Sequence, residues 1–140
     1  MRRMIRVSPV LLVAMGLLLS GCRPAPTFPP HLVTTTRQVG AWQGTGNMTV
    51  GDVVNTAGHF LITWETRAER PPGGHFRLTV HSAVSGRPLK MVVDHAGEGH
   101  GTVDFEDDPR VYQFFVDSAH VAWSFTVDEV IGVAAPSKSP

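Results

Sequence analysis

The stretch "HVAWSFTVDE", residues 120–129, alternates strictly: Val121, Trp123, Phe125 and Val127 fall on one side of an extended chain, Ala122, Ser124, Thr126 and Asp128 on the other. Successive side chains of a strand point to opposite faces, so this is a β-strand with one dry face and one wet face. Two other stretches repeat the pattern. In "HFLITWET" (59–66) Phe60, Ile62 and Trp64 share a face, and in "GHFRLTVHS" (74–82) Phe76, Leu78 and Val80 oppose His75, Arg77, Thr79 and His81. "PLKMVVD" (88–94) and "RVYQFFVDS" (110–118) are more evenly apolar, as central strands are, and shorter candidates lie at 39–43, 48–54 and 102–105.

Between these runs stand "NTAG", "RPPGG", "SGRP", "HAGEGHG", "EDDP" and "DSAH". Each is a cluster of residues that accept turn conformations, and they recur roughly every eight to twelve residues. No stretch has a helical period. Residues 37–131 are therefore expected to form an all-β domain, a single antiparallel β-sandwich of seven to eight short strands with Ig-like or jelly-roll topology. Trp64 and Trp123, in phase with the core, belong between its sheets.

Outward from the domain, the N-terminus places Arg2, Arg3 and Arg6 before an uncharged run whose apolar heart, 10–19, is too short for a bilayer-spanning helix, which takes ~20 apolar residues. Positive start, short apolar centre and small residues at the end are the layout of a cleaved secretory signal, here 1–21. The next residue, Cys22, is the only cysteine in the chain. Residues 22–36 hold four prolines and one charge, Arg23, and read as a semi-rigid spacer able to reach on the order of 40 Å at ~3.1 Å per residue. Residues 132–140 read as a flexible tail.

The order Leu19-Ser20-Gly21-Cys22 resembles the lipobox of bacterial lipoproteins. That resemblance implies diacylglycerol on the Cys22 sulfur, cleavage before Cys22 and fatty acylation, such as palmitate, of the new amino group. Two or three chains anchor stably where one binds only reversibly. It also implies an exported, membrane-anchored protein facing the periplasm or cell exterior, with the outer membrane favoured in a two-membrane cell, since Arg23 is not the aspartate associated with inner-membrane retention. The stretches "WQGTGN", "FLITWET", "GHFRLTVHSAVSG", "GEGHG" and "VYQFFVDSAHVAWSFTVDE" resemble a small uncharacterised exported β-sandwich domain of such lipoproteins. The likeness implies fold and address but no activity.

Removal of 1–21 takes three of the twelve basic residues and none of the twelve acidic ones, leaving 119 residues of formal charge −3. That balance argues against a nucleic-acid partner, whose binders carry a basic footprint. The expected partners are the membrane, through the anchor, and an envelope protein or glycan. No residue is expected to be catalytic: the Gly-x-Ser-x-Gly elbow and the His-Glu-x-x-His motif are absent.

The densest polar segment is "DHAGEGHGTVDFEDDP" (94–109). Asp94, His95, Glu98 and His100 offer nitrogen and oxygen to zinc, while Asp104, Glu106, Asp107 and Asp108 offer oxygens to calcium. A Gly-rich connection with solvated side chains accounts for the same letters, and no cofactor is required. Trp42 and Tyr112, which fall in no clean alternation, are the candidates for stacking on a ligand such as a sugar. The functional expectation is a lipid-anchored, non-enzymatic binding or structural module of the cell envelope. The alternative is a metal-dependent enzyme or calcium-binding domain built on Asp94 to Asp108.

Overall fold

The computed structural model describes residues 32–69 and 73–134. The proposed signal, Cys22 and most of the spacer lie outside the described residues. Eight strands follow one another: β1 (Leu32–Thr45), β2 (Met48–Asn55), β3 (His59–Ala68), β4 (His75–Ser82), β5 (Pro88–Ala96), β6 (Gly99–Glu106), β7 (Arg110–Ala119) and β8 (Val121–Ala134). They form two four-stranded sheets, ordered β1-β8-β3-β6 and β2-β7-β4-β5. Every pairing is antiparallel, with β1 on β8, β2 on β7, β3 on β6 and β4 on β5. The chain is thus one long antiparallel hairpin, folded in the middle at β4–β5 and rolled so that alternate paired rungs enter alternate sheets. Of the two expected topologies this is the jelly roll.

The alternating residues meet between the sheets. Phe60, Ile62, Phe76, Leu78, Val80, Phe114, Val121, Trp123, Phe125 and Val127 are all buried there. Trp123 stacks on Phe76 at 6.0 Å and packs on Phe125 at 5.8 Å, and its indole Nε1 donates to the Gly46 carbonyl at 2.9 Å. Both outer edges on the β1/β2 side are bent by bulges, at Val39 and at Gly51–Asp52, where Asp52 takes φ 57°. Bulges of this kind keep an edge strand from pairing with another chain.

Three expectations change. β5 is an edge strand, not a central one: Val93 points into the core, but Met91 is 51% exposed. Its run of apolar residues therefore reflects outward-facing Met91 and a half-buried Leu89 and Val92, not burial on both faces. β1 starts at Leu32, inside the stretch read as spacer, and β8 runs to Ala134, past the boundary at 131. Beyond Glu129, where β3 leaves β8, residues 32–36 and 130–134 continue as a two-stranded ribbon.

The directions of the strands define two ends. The start of β1, the β2–β3 turn, the β6–β7 corner and the end of β8 share the near end. The β1–β2, β5–β6 and β7–β8 turns lie at the far end.

Candidate functional site

The segment 94–108 is not a loop. It is the end of β5, a two-residue turn at Gly97–Glu98 and the whole of β6, and it crosses from one sheet to the other. Its candidates are dispersed accordingly. Asp94 lies on the outer face of the β5 sheet, paired with Arg77 at 3.1 Å. His95 turns inward, with its ring 4.9 Å from Trp64 and Nε2 bonded to the Glu98 carbonyl at 3.0 Å. His100 pairs in register with Glu65 and is exposed on the outer face of the other sheet. Glu98 is an exposed turn residue, and Asp107 and Asp108 sit in the β6–β7 corner against Arg110. His95 and His100 therefore do not converge on an ion, because consecutive strands in opposite sheets aim them apart.

Two of the segment's acids do meet a histidine, one the sequence reading left out. His59 opens β3 opposite Glu106, and Asp104 lies two residues earlier on the same face of β6. His59 Nε2 is 2.6 Å from Asp104 Oδ1, and Nδ1 is 3.8 Å from Glu106 Oε1. The partners are 45 and 47 residues from His59 in the chain, so only the β3–β6 register reveals them.

Trp42 is half-buried: its ring lies 5.1 Å from Phe125 and 6.3 Å from Phe114, on the β1/β2 seam. It packs on core rings on one side and on the other lines a shallow hollow with Arg37, Gln38 and Asp52. Tyr112 is wholly buried near the start of β7, and its hydroxyl donates to the Asp108 carbonyl at 2.5 Å. Burial, with the Asp107 carboxylate beside it, pushes the phenol up to about 12. A tyrosine that bonds back across the corner between sheets is a structural device, so the ligand role expected for Tyr112 is withdrawn.

The same near end holds a buried charge. Glu129 follows Val127 in phase on the inward face of β8 and is fully buried. Its Oε1 accepts from the Thr56 amide (2.6 Å), the Thr56 hydroxyl (2.7 Å) and the Ala57 amide (2.9 Å), and its Oε2 accepts from Arg37. Burial pushes the carboxyl up, but these hydrogen bonds outweigh it and hold Glu129 down to about 2. The β2–β3 turn that supplies the amides is itself set by Asn55, whose Oδ1 accepts from Ala57 and Gly58. Gly58 has φ +75°, and a Cβ there would sit 2.4 Å from the Asp107 carbonyl.

At the far end, the outer face of β1-β8-β3-β6 is hollowed. The outward residues of β8 are small, Ala122, Ser124 and Thr126, and longer chains flank them in register: Thr45 and Arg67 beside Ala122, Gln43 and Glu65 beside Ser124. The result is a trough of two adjoining hollows, of about 430 and 550 Å³, that share Glu65 and Ser124. Thr63, Thr102 and His100 complete its wall on the β6 side. Glu65 and Arg67 neutralise one another at 2.9 Å, so the lining is rich in hydroxyls and nearly uncharged. No protein-family model matches the chain, and no curated protein matches it.

Proposed function

We propose that the protein is a lipid-anchored, non-enzymatic binding module of the bacterial cell envelope, held by Cys22 and engaging its ligand through the trough over β8. The observation that carries this reading is position: the trough lies at the far end of the sandwich, whereas the chain enters the fold at Leu32, at the near end. A domain tethered through its near end presents the far end away from the bilayer. Hydroxyls of Thr45, Thr63, Thr102 and Ser124 and the amide of Gln43 both donate and accept hydrogen bonds, which suits an extended hydroxylated chain such as an envelope glycan. Within the trough the carboxylate of Glu65 is paired with Arg67.

Ser124→Trp, which fills the floor shared by the two hollows, is expected to weaken co-sedimentation of the detergent-solubilised protein with isolated cell-wall glycan at least about tenfold, or about 1.4 kcal/mol. Thr49→Trp, on the exposed outer face of the other sheet, is expected to leave it unchanged. Equal binding by both variants, with unchanged melting, removes the trough from the binding surface.

The anchor has its own test. Cys22→Ser is expected to leave an unprocessed precursor and to abolish incorporation of labelled fatty acid, with the wild-type protein fractionating with the outer membrane where there are two. Normal processing and membrane retention of the variant refute the lipidation.

A further inference from the structure

We propose that His59, Asp104 and Glu106 form a site for a divalent transition-metal ion, with zinc the best match. The three side chains stand on paired strands: His59 and Glu106 are directly opposite in the β3–β6 ladder, and Asp104 is one outward position further along β6. One donor atom from each already lies within 4.8 Å of the others. Donors around a tetrahedral zinc at 2.0–2.2 Å sit roughly 3.4 Å apart, close to the present spacing, and the exposed Asp104 and Glu106 side chains are free to rotate towards half-buried His59. The hydrogen bond between His59 and Asp104 brings a ring nitrogen and a carboxylate oxygen to 2.6 Å, closer than they need be once an ion stands between them.

The charge balance singles out this cluster. Among the described residues, every other ion-paired acid has an arginine as partner: Arg77 for Asp94 and Asp117, Arg110 for Asp107 and Asp108, Arg67 for Glu65 and Arg37 for Glu129. Asp104 and Glu106 face only His59. Two carboxylates and an imidazole form a donor set of charge −2 with neutral histidine, which a divalent ion cancels. One nitrogen with two oxygens fits zinc, with water completing the coordination. Calcium prefers six to eight oxygens, more than two carboxylates supply. An ion held here cross-links β3 to β6, the edge strand of its sheet.

Calorimetric titration of the detergent-solubilised full-length protein with Zn²⁺ at neutral pH tests this. The expected result is one saturable zinc per chain, weakened at least about tenfold in His59→Ala and again in Asp104→Asn; loss of even an outer-shell partner commonly costs 10–100-fold. His100→Ala, on the same face but nearer the far end, is expected to bind as the parent does, and cobalt substitution to give visible absorption that His59→Ala loses. Both variants alter exposed or half-exposed groups, and metal-free melts matching the parent establish that they fold. Absence of saturable binding overturns the proposal, as does binding indifferent to His59, or calcium binding in preference to zinc.

Discussion

Glu129→Gln is expected to destabilise the protein by about 3 kcal/mol near neutral pH and by almost nothing near pH 2. A carboxyl held at about 2 in the folded protein, against about 4.5 in the unfolded chain, contributes roughly that amount by linkage. The folded value is the lower one, so the contribution is complete above pH 4.5 and is lost as the pH falls from 4.5 towards 2. Glutamine keeps an oxygen for the Thr56 and Ala57 amides but carries no charge for them or for Arg37, much as protonated Glu129 would. For a domain of this size the loss is roughly 10–20 °C in Tm. Thermal melts of both proteins from pH 7 to pH 2 should converge at the acid end. Curves that stay parallel would show that Glu129 is not the group being titrated.

Trp123→Ala is expected to cost roughly 3–5 kcal/mol, as large aromatic deletions in cores do. The indole fills the space between Phe76 and Phe125, Gly44 leaves room for it from β1, and the truncation also removes one of the two donors to the Gly46 carbonyl, leaving it the Ser118 hydroxyl. Against a total of 5–15 kcal/mol for a typical domain this approaches unfolding. Trp42→Ala, whose ring is half-buried at the seam, should cost less. Circular dichroism melts of the two variants rank them, and a Trp123→Ala protein that melts like the parent contradicts the packing described.

The strands were legible where one face is polar. Val121, Trp123, Phe125 and Val127 are separated by Ala122, Ser124 and Thr126, and Ile62 and Trp64 by Thr63, and solvent selects the face. β5 misled because outward Met91 is as apolar as inward Val93, so the period vanishes and an edge reads as a centre. Topology was out of reach for a different reason: β1 pairs with β8 across nearly the whole chain, and no local pattern encodes that partner. The same non-locality hid His59, which sits at the first position of a strand recognised correctly. Glu129 carried a signal that went unread, since it continues the period of Val121 to Val127 on the inward face. A charge at a core position of an otherwise strict alternation predicts a buried partner, here supplied by Arg37 and the β2–β3 turn.

The long β1–β8 ladder gives the domain a mechanical character. On the proposed anchoring and binding, a pull entering at Leu32 and resisted by a ligand over Ser124 would act along the strands, towards opposite ends of the same sheet. Such a load slides β1 past β8 and strains many of its cross-strand hydrogen bonds at once, instead of opening them one after another like a zip. Beyond the ribbon, the first side-chain link across that ladder is the Arg37–Glu129 clasp. It ties the loaded strand to β8 and, through Thr56, to the β2–β3 turn. A protein fastened at one end and gripping at the other would transmit tension through its most extensive strand pairing and spare the loops.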